Sequence, residues 1–392
     1  MRDGSAYPGP GYRPGRGWGP LIGLLCLVLA LAAAVGIGRT AWQATSPLLF
    51  LPPSPVMTTE AAGDPMPLAT RVERVAPGLV DIDTRLGYQG VADAGTGIVL
   101  SPSGDVLTNN HVISGATSIR VSTIGTSRSY PATVLGYDRT HDIAVLHLPG
   151  ASGLPTAPLG DSSRVAVGDE VAAMGNAGGV GGPPTVTTGR VTALDKTITV
   201  SDDVTGAAQE LSGLIQVSAP MRPGDSGGAL VNTAGQVIGV NTAASTGFRL
   251  HPSGAEGFAI PINQALSIAK QILAGTASDT VHIGPTGILG IQVQEASPVG
   301  LPGLSGGWWS GDGLGSPGTL VAGVMPGSPA ERAGLAPGDV IVALDGIAVD
   351  SPATLTTLLT RHHPGDVVRL TWVDPRGQRQ SAPVRLASGP PN

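Results

Sequence analysis

Ser226 stands in Gly224-Asp225-Ser226-Gly227-Gly228-Ala229, a setting suited to a nucleophile. A serine hydroxyl attacks a carbonyl only when a base removes its proton and donors receive the oxyanion that forms. Gly224 lets the backbone turn so that its own N–H and that of Ser226 face one small space. Gly227 and Gly228 leave room for an approaching carbonyl and permit φ > 0. An ordinary turn has the same composition in a chain with 59 glycines, so the loop alone decides nothing. Two partners lie upstream, in the order His, Asp, Ser. An apolar run, Gly97 to Leu100, enters the turn Ser101-Pro102-Ser103-Gly104-Asp105, and a second strand is expected to deliver His111. Asp142 sits where the polar Asp138-Arg139-Thr140-His141 gives way to the apolar Ile143-Ala144-Val145-Leu146. A carboxylate at that transition can orient an imidazole through Nδ1.

These stretches resemble the HtrA (DegP-like) family of trypsin-fold serine proteases. "GTGIVLSPSGDVLTNNHVI", "DRTHDIAVLHL", "AMGNAGG", "VTTGRVTAL", "GDSGGALVNTAGQVIGVNTA" and "GFAIPINQA" follow that family's segments in order, from about Thr70 to Gly389. The resemblance looks closest to the secreted PepA-type members of mycobacteria. It implies a mainly β fold: two six-stranded β-barrels of the chymotrypsin/trypsin type, over residues 69–276, with His111 and Asp142 from the first and Ser226 from the second. It also implies an oxyanion hole in the loop Gly224, Asp225, Ser226, its donors the N–H groups of Gly224 and Ser226. Asn110 agrees with many HtrA members, and Asp225 agrees instead with the digestive enzymes. The base of the S1 pocket, six residues before the nucleophile, falls on Pro220, and its wall on Val240, Asn241 and Thr242. With no carboxylate there, cleavage is expected after Val, Ala, Ile or Leu.

A second, α+β module is expected from residue 281 to 390. "GILGIQV" and "AGVMPGSPAERAGLAPGDVIVALDGIAVDSPATLTTLLTRHHPGDVVRLTWV" resemble a bacterial PDZ domain. Ser328 can cap a helix opened by Pro329 and closed by Gly334. A second helix, Pro352 to Arg361, turns Leu355, Leu358 and Leu359 inward. In PDZ domains a peptide C-terminus adds as a strand beside such a segment, its carboxylate held by loop amides. That role passes to Ile288, Leu289, Gly290 and Ile291. Glu295 to Thr319, with Trp308 and Trp309, is an insertion whose surroundings stay open. His362 and His363 read as a solvated helix end. In the protease region the one clear helix runs from Ile262 to Ala274.

Residues 21–38 carry no charge and follow Arg2, Arg13 and Arg16, which favours a cytoplasmic N-terminus. At about 1.5 Å per residue the segment spans roughly 27 Å, enough for a transmembrane helix. A signal peptide cut near Ala30-Leu31-Ala32 is the other reading. Residues 1–20 then form a disordered cytoplasmic tail, and the proline-rich residues 39–68 an extended stalk outside. The net charge of −6 and 3% aromatics offer no footprint for nucleic acid. The single cysteine, Cys26, lies in the apolar run, which excludes a disulfide framework and a thiol nucleophile in the folded part. No cofactor and no metal site is expected.

The sequence therefore predicts an ATP-independent serine endopeptidase acting on unfolded or damaged extracytoplasmic proteins, with a PDZ domain for peptide C-termini and a homotrimer implied by the family. The alternative is a chaperone or peptide-binding scaffold whose barrel is catalytically idle.

Overall fold

The computed structural model describes residues 65–87, 91–126, 128–201, 208–242, 256–295 and 318–391. The expected membrane segment, residues 21–38, and the Trp308-Trp309 insertion lie outside the described residues. No helix among the described residues is long and apolar enough to cross a membrane.

The described chain opens with a helix, α1 (Leu68–Val75), where the sequence placed the end of a stalk. Its Arg71 reaches across to Glu170, 2.5 Å away. Seven strands follow: β1 (Leu79–Leu86), β2 (Val91–Val99), β3 (Asp105–Thr108), β4 (Ser118–Thr123), β5 (Ser129–Pro131), β6 (Thr133–Asp138) and β7 (Ile143–His147), with a single helical turn, α2 (Asn110–Ile113), after β3. They pair in the order β6-β7-β3-β2-β1-β4-β5. Only Ala132 separates β5 from β6, so the two ends of this order are covalent neighbours and the sheet must curl. The Ala132 N–H donates to Ile119 O at 3.0 Å on the way. Alternation sends Val80, Ile82, Val106, Val121 and Leu146 into the curled interior.

The second sheet contains β8 (Glu170–Gly175), β9 (Thr185–Ser201), β10 (Ala208–Val217), β11 (Ala229–Val231), β12 (Val237–Thr242) and β13 (Gly257–Pro261). It is a closed six-stranded barrel, in the order β10-β13-β12-β11-β8-β9. Closure removes the unpaired edges that a flat sheet would expose. Val171, Val191, Ile215, Leu230 and Ile238 fill it. A further core joins the two sheets, with Leu79, Ile98 and Ile143 from the first and Met174, Leu214 and Val240 from the second. Helix α3 (Ile262–Leu273) seals it, because Ile262, Ala265, Ile268, Ala269 and Ile272 recur at helical spacing on one face. Each buried isoleucine contributes about 1.5–3 kcal/mol.

The first sheet departs from a plain six-stranded barrel. β14 (Val281–Ile283), which the sequence assigned to the second module, pairs antiparallel with β6, His282 opposite Tyr137, and brings that sheet to eight strands. Val281 supplies apolar area to the core between the barrels, which explains the side it takes.

The C-terminal module contains β15 (Thr286–Ile288), β16 (Ile291–Glu295), β17 (Thr319–Val324), α4 (Pro329–Ala333), β18 (Val340–Leu344), β19 (Ile347–Ala348), α5 (Pro352–Leu359), β20 (Val367–Val373), β21 (Arg379–Arg385) and β22 (Ala387–Gly389). One sheet runs β16-β17-β18-β20-β21, and β15 pairs with β22. The Ser328 hydroxyl caps α4 by accepting from Glu331 N–H at 3.1 Å, and Gly334 ends it at φ 90°. Leu355, Leu358 and Leu359 of α5 pack with Leu289 and Trp372. His363 is exposed, as expected, and also stacks on His282 with ring centroids 4.9 Å apart.

Candidate active site

Strand β3 ends at Thr108, so His111 arrives on the helical turn α2, not on a strand as the sequence suggested. The turn exists because Asp142 accepts its orphan amide: His111 N–H donates to Asp142 Oδ1 at 2.9 Å. Asp142 Oδ2 lies 2.8 Å from His111 Nδ1. The same carboxylate thus fixes the backbone and the ring of one residue. Asp142 adopts φ 54°, a left-handed conformation that Asp tolerates better than most residues, and its carbonyl accepts Asn109 Nδ2 at 2.9 Å. The Nδ1 contact leaves Nε2 as the basic nitrogen of the neutral ring. Burial is the largest single influence on that ring and pushes its pKa down. The charge and hydrogen bond of Asp142, with Asp93 farther off, push it up, and the net is a rise above the ordinary histidine value.

Thr242, which the sequence placed in the S1 wall, reaches Asp142: its hydroxyl donates to Oδ2 at 3.2 Å. It comes from the second barrel and closes the carboxylate from the far side. Its neighbours on β12 are engaged as well. Val240 is packed in the core between the barrels, and Asn241 donates to Met174 O and Ala229 O at 3.1 and 3.3 Å. All residues of β12 are buried. Pro220 is exposed. Met221 lies over β13, where a Cβ on Gly257 would come within 2.9 Å of its sulfur.

Ser226 is buried to 2% exposure at the end of a loop whose successive carbonyls are all tied down. Pro223 O accepts from Gly178 N–H at 2.7 Å, Gly224 O from Thr96 Oγ1 at 2.7 Å, Asp225 O from Gly228 N–H at 3.0 Å and Ser226 O from Thr96 N–H at 2.8 Å. In a trans peptide the N–H points opposite to the C=O of the same unit. Fixing Pro223 O and Asp225 O therefore fixes the directions of the Gly224 and Ser226 amides. The Asp225 amide is not a third donor, because it is spent on Arg222 O at 3.0 Å in the turn. Its carboxylate faces inward as well. Burial is the main cause pushing its pKa up, against hydrogen bonds from Arg222 N–H and the Thr185 hydroxyl.

Gly227 takes φ 79°, as the sequence suggested, but Gly227 and Gly228 both also serve a purpose it did not show. A Cβ on Gly227 would lie 2.0 Å from Thr96 O and one on Gly228 2.2 Å from Met174 O. They admit neighbouring backbone rather than substrate. Gly227 N–H donates to Asn241 O at 2.8 Å, next to Thr242, so the nucleophile loop and the Asp142 partner share one strand end.

In the C-terminal module Ile288 ends β15, Gly290 turns the chain at φ 75°, and Ile291 opens β16, at the edge of its sheet. Leu289 is a core residue at 1% exposure. Leu289 O accepts from Ala330 N–H and Gly290 O from Met325 N–H, both at 3.0 Å. On the opposite sides of those peptide units, the Gly290 amide faces away from α4 and the Ile291 amide away from Met325.

Missing from the sequence reading were Thr96, the bond of Thr242 to Asp142 and the Asn176–Gly178 turn. A threonine between two glycines in an apolar strand was the available signal for Thr96. Among the described residues no group of three or more His, Cys, Asp or Glu side chains could hold a metal ion.

A sequence model of the trypsin-like peptidase domain matches residues 95–240, and one of the PDZ domain matches 320–374. HhoA of Synechocystis is 33% identical, over 93% of this chain and 95% of its own. Serine protease PepD of Mycobacterium tuberculosis is 35% identical, over 80% of this chain and 64% of its own. A DegP-like protein of Hahella chejuensis, named for a periplasmic serine endoprotease, is 35% identical over 78% and 59%. With a protease domain and a PDZ domain in this order, and a relative matched along nearly its whole length, the chain belongs to the HtrA (DegP-like) family of serine endopeptidases.

Proposed function

We propose that Ser226 is the nucleophile, His111 its general base and acid, and Asp142 the group that orients His111. The double grip of Asp142 on the His111 amide and ring, at 2.9 and 2.8 Å, is the observation that carries this reading. Ser226 Oγ bonds to the scissile carbonyl carbon while His111 Nε2 takes its proton. The oxyanion rests on the N–H groups of Gly224 and Ser226. The C–N bond then breaks as the proton passes to the leaving amine, leaving an acyl group on Ser226. Water, giving a proton to His111, releases the acid and restores the hydroxyl. A fluorophosphonate applied to the whole chain should label Ser226, as read by peptide mapping. A protein that binds peptides yet takes no label at Ser226 would be a chaperone or scaffold with an idle barrel.

The substrates we infer are unfolded or damaged polypeptides on the extracytoplasmic side. Pro220 offers no charge at the expected base of the S1 pocket, and Met221 over Gly257 supports a neutral, shallow floor. Such a pocket gains chiefly from apolar area, about 0.8 kcal/mol per methylene, so it discriminates modestly among aliphatic residues. Mass-spectrometric mapping of casein fragments is expected to place most cuts after Val, Ala, Ile or Leu. A majority after Lys or Arg would mean that another residue supplies a carboxylate to the pocket.

The loop Ile288, Leu289, Gly290, Ile291 is proposed to hold the carboxylate of a peptide laid beside β16. The β16 edge, unpaired among the described residues, and the amides of Gly290 and Ile291 support it. The full chain with Ser226→Ala is the proper reagent, because β14 ties the module to the barrel. Peptides with free apolar C-termini should bind it more tightly than their amides. Equal affinities would remove the role assigned to the loop.

Residues 21–38 are proposed to remain as a single-pass anchor. After a carbonate wash the protein should stay with the membrane fraction and keep its N-terminal tail. Mature chain in the medium, beginning beyond Ala32, would mean signal-peptide cleavage instead.

A further inference from the structure

Thr96 is fully buried on β2, in the first barrel, yet its hydrogen bonds converge on the nucleophile loop of the second. Its N–H donates to Ser226 O at 2.8 Å, and its carbonyl accepts the Thr108 hydroxyl at 2.7 Å. Its own hydroxyl donates to Gly224 O at 2.7 Å and accepts Asn176 N–H at 2.8 Å. We infer that Thr96 is a positioning residue for the oxyanion donor, its hydroxyl setting the direction of the Gly224 N–H from the opposite barrel. This rests on the assignment of Gly224 as that donor.

The argument turns on which bonds restrain the Gly224 amide. That amide shares a peptide unit with Pro223 O, and the next unit carries Gly224 O. The Thr96 hydroxyl holds Gly224 O directly. Pro223 O is held by Gly178 N–H at 2.7 Å, in a turn that Gly179 N–H closes back onto Asn176 O at 2.9 Å. Asn176, which begins the turn, is docked on that same hydroxyl. One oxygen therefore restrains the carbonyls on both sides of the donor. Gly224 sits at φ 95° and has no side chain to resist rotation of its peptides.

The surroundings leave the strand no freedom to compensate. A Cβ on Gly95 would lie 2.6 Å from Val112, and one on Gly97 2.5 Å from Val106. With β2 packed so closely, loss of the hydroxyl leaves Gly224 O without its donor and Asn176 N–H without its acceptor. Buried polar groups left unpaired find other partners by moving, and here the groups that move carry the oxyanion donor. None of these bonds reaches His111 or Asp142, so the effect belongs to the tetrahedral intermediate and not to proton transfer.

The test compares Thr96→Val, which keeps shape and loses the hydroxyl, with Thr96→Ser, which keeps the hydroxyl. A fluorogenic peptide gives kcat and KM. A peptide aldehyde, whose adduct with Ser226 places an oxygen where the oxyanion forms, gives the affinity for that state. Thr96→Val should lower kcat about 10²-fold with KM within about twofold, and weaken the aldehyde by a similar factor, since loss of one oxyanion donor has that size. Thr96→Ser should recover to within about threefold of wild type, and the pH midpoint of kcat should not move. Thr96→Val within about threefold of wild type, or Thr96→Ser as damaging as Thr96→Val, overturns the inference, as does a shifted pH midpoint. Should Thr96→Val fail to fold, Thr96→Cys, with its weaker donor, is expected well below Thr96→Ser, and equality of the two overturns the inference. Ser226→Ala run alongside separates the two levels. Cleavage by Ser226→Ala overturns the assignment of the nucleophile, whereas an inert Ser226→Ala beside an active Thr96→Val overturns the role of Thr96 alone.

Discussion

Ser226→Ala is expected to lose casein cleavage by about 10⁵–10⁶-fold while its melting temperature stays near that of the wild type. His111→Ala should cost about as much, and the double variant little more. The reason is that the two side chains perform one act. Without the base the hydroxyl keeps its proton, and without the hydroxyl the base has nothing to activate. Asp142 and Thr242 would still occupy their positions when the Ser226 hydroxyl is removed. The measurement is the initial rate on reduced casein with protein of matched purity, alongside thermal unfolding. Residual cleavage within about tenfold of wild type in either single variant would remove these residues from the mechanism.

The second large effect is expected from a single methyl group. A Cβ on Gly224 would lie 2.1 Å from Asn176 O, and Gly224 is held at φ 95°. The left-handed backbone alone costs an alanine about 1–2 kcal/mol. The overlap is with backbone rather than with a flexible side-chain end, so the loop itself has to move. Any such movement takes the Gly224 amide off its direction and loosens Gly224 O from the Thr96 hydroxyl. Gly224→Ala should therefore reduce kcat by about 10²–10³-fold, with a small change in KM, because the lost interaction belongs to the transition state. Gly150→Ala is the matched control. Gly150 has φ 81° and open space where the Cβ would go, so it carries the backbone strain without the collision. It should lower stability and leave kcat alone. Equal activity losses in the two variants would assign the effect to general destabilisation.

The parts of this site that were legible in the sequence are those whose chemistry is local. Gly224 to Ala229 announces a turn with a nucleophile in it, and the His111 and Asp142 segments show strand-like flanks in a workable order. The starts of the PDZ helices were equally plain, since Ser328 and Pro329 open one and Pro352 the other, although the second ends at Leu359 rather than Arg361. The family segments carried the two-domain architecture, because each keeps its apolar alternation and its turn residues together along the chain.

What escaped were relationships between distant residues on buried faces. Thr96 and Gly224 are 128 residues apart, and Thr242 and Asp142 are 100 apart. Neither pair follows from periodicity. That every residue of β12 is buried does not follow from its place in the chain either. Only the packing of the barrels shows that. Strand β14 looked like the start of the next domain until its hydrogen bonds to β6 decided otherwise. The Asp225 amide, one of three consecutive amides in the candidate loop, was separated from its neighbours only by its turn bond to Arg222.

The sequence by itself determined the kind of chemistry, the residues able to perform it and the two kinds of domain, because side-chain type and local hydrophobic pattern are written along the chain. Tertiary structure alone decided which amides are free to meet an oxyanion, which glycines exist for backbone contact and which threonines hold the site. The direction of a peptide N–H depends on what the carbonyl of its own unit binds, and for the Gly224 amide that partner, the Gly178 N–H on Pro223 O, comes from another segment of the fold.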